Sequence, residues 1–497
     1  MSHESDYESL GALPDGWESV PLRKVVTKLV DGSHNPPQKQ DSGLPMLSAR
    51  NIENNEIVFE NFRYITEDDF EREHARTRVT PGDVLLTIVG TIGRCAVVPS
   101  GTKNFTLQRS VAVLTPTGVL PKYLMYQLQA PFVQRHFEKH ARGTAQKGVY
   151  LKTLGQTPIR VAPLDQQKSI VAEIEKQFSR LDEAVANLKR VKANLKRYKA
   201  AVLKAAVEGR LVETEAELAR KNPPLPLGEG RGEGTSYETG TQLLQRILEN
   251  RRSQWKGKGK YKEPAAPDTT DLPELPEGWV WARLDAIAAL KGGITVDSKR
   301  KDSTARSVPY LRVANVQRGY LDLSEVKFID APESDIKELR LQRGDILFNE
   351  GGDRDKLGRG WIWEEQLSDC IHQNHVFRAR LFLSEVSSKL VSWWGNSFGK
   401  DYFLREGKQT TNLASINLTK LSAFPVPLPP AAEQDRLVEE VDRRLSLVRE
   451  VETQVDANHK RAKRLRQSIL SSAFSGQLTS VPHLGLTTIA ILEEAGS

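Results

Sequence analysis

Cysteine is scarce in this 497-residue chain, which contains only Cys95 and Cys370. Two isolated cysteines without CxxC spacing support neither a disulfide framework nor a zinc site, and we expect both to be buried as small apolar groups. Long apolar runs are missing as well, since no stretch approaches the roughly 18 residues of a membrane span. The polar, acidic start MSHESDYESL has no secretory-signal pattern. We therefore expect a cytoplasmic, globular protein with no membrane partner.

Nucleotide and methyl-donor motifs are also missing. GNSFGKD from Gly395 has neither the spacing nor the Ser or Thr of a phosphate loop. NPPQ from Asn35 and NPPL from Asn222 lack the aromatic residue with which adenine methyltransferases stack a flipped base, so we interpret both as turns. A glycine-rich turn between a strand and a helix, which would hold S-adenosylmethionine, is not found.

Metal-ligand patterns are equally weak. His372 and His375 have a spacing that binds a metal ion only with further ligands, which we do not find. Asp322, Glu325 and Lys327 loosely resemble a nuclease set but stand too close together, and we interpret them as a solvated strand face. We predict no catalytic, cofactor-binding or metal site in this chain.

The composition indicates several domains and permits a polyanionic partner. The chain is too long for one hydrophobic core, and 38% hydrophobic with 27% charged residues is typical of a globular protein. The 71 Lys and Arg exceed the 64 Asp and Glu, which gives a formal net charge of +7. This mild excess is compatible with nucleic-acid binding but does not establish it.

An internal repeat covers most of the sequence. LPDGW from Leu13 stands again as LPEGW from Leu275, 262 residues later. The later parallels keep the same order, and the offset settles at 267 residues, as between Pro163 and Pro430. They are PMLSARNI and PYLRVANV, TPGDVLLT and QRGDILFN, TLQRSVAVLTP and IHQNHVFRARL, and TPIRVAPLDQQKSIVAEIE and FPVPLPPAAEQDRLVEEVD. A register of this length predicts two structurally equivalent halves.

Each half contains a β-rich part followed by a long helix with coiled-coil spacing. A helix of about 44 residues spans roughly 65 Å, more than a compact domain can cover, so we expect the two helices to pack on each other in antiparallel fashion. The expected interface residues are Ile170, Ile174, Phe178, Leu181, Leu188, Leu195, Val202, Leu437, Val441, Leu445, Val448, Val455, Leu465 and Ile469. We predict an α+β fold with a pseudo-twofold internal repeat.

The predicted organisation has six segments. They are a first β domain (1–163), a first spacer helix (164–211), a linker with a short helix (212–274), a second β domain (275–429), a second spacer helix (430–478) and a C-terminal tail (479–497). The short helix of the linker is TQLLQRILENRRSQW, whose apolar stripe is suited to docking.

The ordered set of motifs resembles the specificity subunits of type I restriction-modification systems. The resemblance covers nearly the whole chain, and its residues are the two Trp-containing starts, PGDVLLT and RGDILFN, the VGTIGR loop from Val89, the segment from Arg142, and the segment from Gly407. In the second half VGTIGRCAVV becomes EGGDRDKLGRGWIW, an insertion that puts the role of that loop in doubt.

The resemblance implies a non-catalytic subunit whose two β domains are target recognition domains for double-stranded DNA. Each domain would read one half of a bipartite, asymmetric site, and the helices would set the gap and dock two modification (methyltransferase) subunits. Restriction subunits, which are ATP-dependent translocases and nucleases, would join that core. S-adenosylmethionine, ATP and Mg are expected in the partner subunits.

Arg, Lys, Gln, Asn and Thr in loops are the candidate DNA contacts, because such side chains reach base edges and phosphates. In the first domain they are Arg50, Asn51, Thr91, Arg94, Gln108, Arg109, Arg142, Gln146 and Lys147. In the second they are Arg312, Asn315, Arg354, Lys356, Arg359, Gln373, Asn374, Arg405, Lys408, Gln409 and Asn412. The alternative for each is a solvated side chain or a turn-stabilising amide, and Asn51 and Asn315 suit turn caps.

Three other classes of protein remain as alternatives. A two-headed transcription regulator is one of them, although nothing in the sequence resembles a helix-turn-helix. A stand-alone DNA methyltransferase or nuclease is disfavoured by the missing cofactor and metal motifs. A coiled-coil scaffold without DNA reading would show no salt-sensitive binding to a duplex.

Overall fold

The structure is a computed structural model that describes residues 13–143, 146–222, 237–255, 259–295, 305–352, 356–409 and 414–478. The predicted tail (479–497) and the candidates Arg354 and Asn412 lie outside these residues. The described chain divides into two compact units, of which the first comprises Met1–Ala193 with Thr453–Ser497 and the second comprises Asn194–Glu452. No helix of the described part is long and apolar enough to cross a membrane.

The first β domain combines short strands with a few helices. Its strands are β1 (Glu18–Pro21), β2 (Val26–Asp31), β3 (Leu44–Leu47), β4 (Ile52–Glu53), β5 (Glu56–Ile57), β6 (Arg63–Ile65), β7 (Val84–Thr87), β8 (Cys95–Val97), β9 (Thr106–Leu107), β10 (Val111–Pro116) and β11 (Pro158–Val161). Its α-helices are α1 (Glu67–Thr77), α2 (Pro121–Leu128), α3 (Pro131–His140) and α4 (Leu151–Leu154).

A four-stranded antiparallel sheet with the order β2-β10-β7-β8 lies at the centre of this domain. β7 is buried on both faces, so it reads as a continuous apolar run rather than an alternation. Val84 and Leu86 face the helices, whereas Leu85 faces a smaller sheet with the order β6-β3-β9. β1 pairs with β11, which joins the start of the domain to its end.

The first long helix is α5 (Leu164–Val207). Pro163 precedes it, and Gly209 follows it with a φ of 66°, a left-handed conformation that suits glycine after a helix end. The helix ends four residues before the predicted end at 211, because the chain turns at Gly209.

The predicted linker contains two helices rather than one, α6 (Glu215–Lys221) and α7 (Gly240–Ser253). Each starts with a capping box, formed by Thr214 in α6 and by Thr239 in α7. The apolar stripe of α7 buries Leu243 and Ile247 completely in the core of the second unit. This part of the linker is thus an integral piece of that unit.

The second β domain has strands β12 (Val280–Arg283), β13 (Ala288–Lys291), β14 (Arg306–Leu311), β15 (Val316–Gln317), β16 (Tyr320–Leu321), β17 (Lys327–Ala331), β18 (Ile346–Asn349), β19 (Gly351–Gly352), β20 (Gly360–Ile362), β21 (Ile371–His372), β22 (Val376–Leu381), β23 (Lys408–Gln409), β24 (Ala414–Ser415) and β25 (Pro425–Leu428). Its helices are α8 (Leu284–Ile287), α9 (Glu333–Leu339), α10 (Ser388–Ser397), α11 (Gly399–Glu406) and α12 (Leu418–Ser422). The second long helix, α13 (Ala431–Phe474), follows.

The sheets of the two domains have the same topology. The order β13-β22-β18-β20 repeats β2-β10-β7-β8, and β17-β14-β21 repeats β6-β3-β9. The pairing of β12 with β25 likewise repeats that of β1 with β11. The second domain adds a small sheet of its own with the order β19-β24-β23. The predicted α+β fold with an internal repeat is confirmed.

The repeated Trp fastens the start of each domain to the first turn of its long helix. The indole Nε1 of Trp17 donates to Gln166 Oε1 at 2.7 Å, and that of Trp279 donates to Glu433 Oε1 at 2.9 Å. Burial raises the pKa of the Glu433 carboxyl group, which also accepts from the backbone N–H of Glu215. The two Trp-containing motifs are therefore structural anchors.

Segments of α5 and α13 run antiparallel within each unit. In the first unit, Asp182 pairs with Arg466 at 2.6 Å and Lys192 pairs with Asp456 at 2.7 Å, so the numbers rise along α5 as they fall along α13. In the second unit, Val202 shares a core with Leu437 and Val441. The predicted long antiparallel helices are confirmed. The fourteen residues expected at their interface are buried or half-buried, and their assignment to that interface stays a prediction.

Candidate nucleic-acid interface

A backbone frame at the end of β9 joins three loops of the first domain. The N–H of Gln108 donates to the carbonyl oxygen of Leu47 at 2.8 Å, and that of Arg109 donates to Ser33 at 2.8 Å. Ser110 Oγ accepts from the N–H of Ala49 at 3.0 Å. The loop before β3, the loop after it and the turn between β9 and β10 therefore meet, which places Arg50, Gln108 and Arg109 in one neighbourhood.

Two further loops join this frame through Ile88, whose N–H donates to Ser110 at 2.9 Å. The N–H of Gly90 donates to the carbonyl oxygen of Lys147 at 3.0 Å, and Arg142 exchanges two hydrogen bonds of 2.9 Å with Gly148. Thr87 Oγ1 accepts from the N–H of Arg94 at 2.9 Å and so fixes the turn after β7. The structure thus brings the candidates of the first domain onto adjacent loops.

Most of these candidate side chains are available to a partner. The exposed ones are Arg50, Thr91, Arg94, Arg109, Arg142, Gln146 and Lys147, and Gln108 is half-buried. A concave pocket of about 230 Å³ lies beside Gln108 and is lined by Lys39, Met46, Ser48, Arg50, Asn61, Phe62, Arg63 and Gln108. This side of the domain combines flexible cations with amides, the two chemistries that contact DNA phosphates and bases.

Asn51 and Asn315 have the same role inside their domains. Asn51 accepts from the N–H of Ser48 and donates to the carbonyl oxygens of Val58 and Glu60. Asn315 repeats this arrangement with Arg312, Asp322 and Glu325. Both amides are almost completely buried, at 1% and 2% exposure. The structure favours the turn-stabilising alternative for these two residues, and we do not carry them forward as base readers.

The second domain repeats the frame with different side chains. The N–H of Gln373 donates to Leu311 at 2.9 Å, and that of Asn374 donates to Ile294 at 2.9 Å. Both side chains are half-buried at the position where the first domain presents Gln108 and Arg109. The same turn therefore offers an amide pair in one domain and an amide with a guanidinium group in the other.

The loop after β18 departs from its first-domain counterpart. Asn349 stands where the first domain has Thr87, and its Nδ2 donates to the carbonyl oxygen of Val316 at 2.9 Å. Arg359 donates to Val313 at 3.4 Å, and Lys356 lies in the same loop. The small sheet β19-β24-β23 extends from this loop. The side chains of the candidates Lys408 and Gln409 lie outside the described part of the chain.

Two further candidates of the second domain already have acidic partners. Arg312 pairs with Glu325 at 3.3 Å, and Arg405 pairs with Asp271 at 3.8 Å. The pair of Arg405 with Asp271 is exposed and contributes little stability, so this guanidinium group remains a candidate phosphate contact. Arg312 is only 22% exposed and is held by its own carboxylate partner.

The weak catalytic motifs have structural roles in the described residues. Burial lowers the pKa of His372 to about 4, and its Nδ1 donates to the carbonyl oxygen of Val376 at 2.7 Å. Asp322 accepts from the hydroxyl and N–H of Ser324, and Gly395 lies inside α10 against Phe348. No group of three His, Cys, Asp or Glu in the described residues is arranged to hold a metal ion.

Lys39 and Arg63 were not among the sequence-based candidates. Lys39 lies in the loop that starts with NPPQ, which predicted only a turn, and Arg63 lies in a short strand. No pattern along the chain marks them, because the two segments that carry them come together only through pairing between strands.

Comparisons with known proteins give a consistent result. The family described as the type I restriction modification DNA specificity domain matches residues 14–197. The EcoKI specificity subunit of Escherichia coli K12, a type I restriction enzyme subunit, is 21% identical over 488 residues, which cover 95% of this chain and 91% of that protein.

Solved structures resemble the fold over nearly the whole chain. A chain from a study of complex assembly and conformational transition of the type I R-M system matches with a TM-score of 0.62 at 18% identity, covering 94% of this chain and 100% of that chain. The HsdS subunit from Thermoanaerobacter tengcongensis matches with a TM-score of 0.51 at 17% identity, covering 94% and 98%. These likenesses concern the fold.

Proposed function

We propose that the chain is a specificity subunit of a type I restriction-modification system, the non-catalytic subunit that reads DNA. The family match over residues 14–197 and the likeness to specificity subunits over nearly the whole chain support this. Each β domain reads one half of a bipartite, asymmetric site on double-stranded DNA. The observation that carries this proposal is the shared loop frame with unlike side chains, Gln108 and Arg109 in one domain against Gln373 and Asn374 in the other.

Base reading by these side chains follows from their donors and acceptors. Arg pairs in bidentate fashion with guanine, whereas Asn and Gln pair with adenine in the major groove. Each good pair discriminates by about 1–3 kcal/mol, so three or four pairs in each domain supply the specificity that a restriction system requires. Different amides and guanidinium groups on the same frame therefore select different half-sites.

The long helices act as a ruler between the half-sites and as the docking region for two methyltransferase subunits. A duplicated chain has pseudo-twofold symmetry, and proteins with a twofold axis contact DNA at positions about one helical turn, roughly 34 Å, apart. Restriction subunits assemble around this core. S-adenosylmethionine, ATP and Mg belong to the partner subunits, which perform the chemistry.

Mapping of methylated sites tests this function. Cells that carry this chain with its neighbouring modification gene are sequenced for methylated adenines, with wild type, Gln108→Ala and Gln373→Ala compared. Wild type is expected to give one bipartite sequence. Each substitution is expected to relax one base of one half-site by roughly 5- to 150-fold, because one bidentate pair is lost.

Gln245→Ala is the matched control, because Gln245 is an exposed amide on α7 away from the loop frame. It is expected to leave the methylated sequence unchanged. If Gln108→Ala and Gln373→Ala relaxed the same half-site, the assignment of one domain to each half would be wrong.

A further inference from the structure

We propose that Lys39, Arg50 and Arg63 form a pocket that binds one backbone phosphate of the DNA beside the first half-site. The inference rests on the proposed function, because it concerns the same DNA. It assigns a role to two cations, Lys39 and Arg63, that the base-reading argument leaves unused.

The pocket is built into the fold of the first domain. Met46 and Arg63 are paired across β3 and β6, and the guanidinium group of Arg63 donates to the carbonyl oxygen of Pro37. The N–H of Gln40 donates to Tyr64 at 3.0 Å, which fixes the loop that carries Lys39 along the edge of β6. Two cations are thus held on neighbouring segments rather than on free tails.

The electrostatics of the pocket favour an anion. Three cations and no carboxylate are found among its eight lining residues, and its volume of about 230 Å³ accommodates a phosphate group. Like charges around one cavity repel each other, and an anion between them removes that repulsion. Guanidinium groups donate two parallel hydrogen bonds to phosphate oxygens, and Lys adds a point charge. Gln108 on the pocket wall places this phosphate next to a candidate base reader.

The second domain fills the equivalent place with its own ion pair. Asn51 and Asn315 make matching hydrogen bonds, and the pairing of Met46 with Arg63 corresponds to that of Tyr310 with Lys327. In this register Arg312 corresponds to Ser48, and Arg312 pairs with Glu325 at 3.3 Å.

The cations at the two places also differ. Arg50 corresponds to Ala314, whereas Ser48 corresponds to Arg312, whose charge is paired with that of Glu325. A phosphate contact by Arg50 therefore has no counterpart at Ala314.

The test uses the complex of the full chain with its methyltransferase subunits and a duplex that contains the mapped site. Affinity is measured between about 50 and 200 mM salt for wild type and for the double variant Lys39→Gln with Arg50→Gln. The slope of log affinity against log salt is expected to fall by about 0.9 for one lost phosphate contact. The methylated sequence is expected to stay the same, because phosphate contacts carry no sequence information.

Neutral methylphosphonate linkages locate the phosphate. One phosphate at a time next to the first half-site is replaced by a neutral linkage. The wild-type complex is expected to bind DNA more weakly when one particular phosphate is replaced, whereas the affinity of the double variant is expected not to change at that position. Asn61→Glu, which places a carboxylate on the pocket wall, is expected to have the effect of the double variant, because the added negative charge repels phosphate. Lys24→Gln, an exposed lysine outside the pocket, is the control and keeps the wild-type behaviour at that position.

The outcomes distinguish a failure of the phosphate-pocket assignment from a failure of the proposed DNA-reading function. If the double variant kept the wild-type slope while Gln108→Ala still relaxed a base, the pocket assignment would fail and the DNA-reading function would stand. Absence of duplex binding by the wild-type complex at low salt would instead overturn the function. Binding of inorganic phosphate that depends on Lys39 and Arg50, without any change in DNA affinity between variants, would identify free phosphate as the ligand and overturn the assignment.

Discussion

His372 is a buried imidazole at a position where the repeat places an aliphatic residue. It occupies the end of β21 as Leu107 occupies the end of β9, and both are fully buried. The ring donates to Val376 from Nδ1, and its burial lowers its pKa to about 4 from an ordinary 6.5. Because water solvates the charged ring better than this core does, the folded second domain holds the neutral form.

The stability of the second unit is therefore expected to depend on pH. The unfolded chain binds a proton at His372 below about pH 6.5 while the folded chain does not, so stability is present above that pH and is lost as the pH falls towards 4. The loss is about 3 kcal/mol at most. His372→Leu is expected to remove most of this slope, although it also deletes one hydrogen bond.

Urea unfolding followed by tryptophan fluorescence measures this effect, since seven of the eight tryptophans belong to the second unit and only Trp17 belongs to the first. The measurement is repeated between pH 7 and pH 4. Equal slopes for wild type and His372→Leu would show that the imidazole is not the group responsible.

Whether a single polar residue is buried or exposed was the feature least predictable from the sequence. Asn51 and Asn315 look like exposed loop amides, yet each is buried by backbone carbonyls that lie seven or more residues further along the chain. Burial of a polar group depends on such partners, which only the folded loop supplies. Conversely, Lys39 and Arg63 meet only through sheet pairing.

Long helices are far easier to predict from the sequence than short ones. The apolar stripe of α13 predicted a helix over 430–478, and the structure has Ala431–Phe474. In contrast α6 has seven residues, too few for a periodic signal, and depends on tertiary support. The N–H of Glu215 in its first turn donates to the buried carboxylate of Glu433 at 3.1 Å. No local sequence pattern predicts this contact.

The two long helices should respond to insertion as a matched pair. Seven residues inserted into each helix, after Ala193 in α5 and after Glu452 in α13, preserve the heptad register and lengthen each helix by roughly 10 Å. If the helices set the distance between half-sites, the unspecified gap is expected to grow by about three base pairs, at 3.4 Å per base pair. Sequencing of methylated sites measures the gap.

A heptad inserted into α5 alone is the control for this experiment. It breaks the antiparallel pairing, including that of Asp182 with Arg466, and is expected to reduce methylation without giving a defined new gap. An unchanged gap in the paired insertion, with normal methylation, would rule out the ruler.

At the scale of the whole molecule, the two halves share the hydrogen bonds that stabilise each domain but differ in their exposed loop residues. Gln167 and Gln434, at equivalent places, both accept a backbone N–H of their own domain, at 2.9 Å from Leu120 and at 2.7 Å from Ser387. Their amides also donate to equivalent carbonyl groups at 2.8 and 2.9 Å. The anchors are repeated while the exposed loop residues differ, so the same scaffold is suited to two unlike targets.

The last prediction follows from the proposal that this chain reads DNA while its partner subunits transfer the methyl group. The purified chain alone, supplied with S-adenosylmethionine and a duplex that contains the mapped site, is expected to transfer no methyl group. Addition of the methyltransferase subunits is expected to restore transfer at that site. The reason is that NPPQ from Asn35, in the loop between β2 and β3, lacks the aromatic residue with which adenine methyltransferases stack a flipped base. Radiolabelled methyl transfer measures this, and transfer by the chain alone would revive a stand-alone methyltransferase.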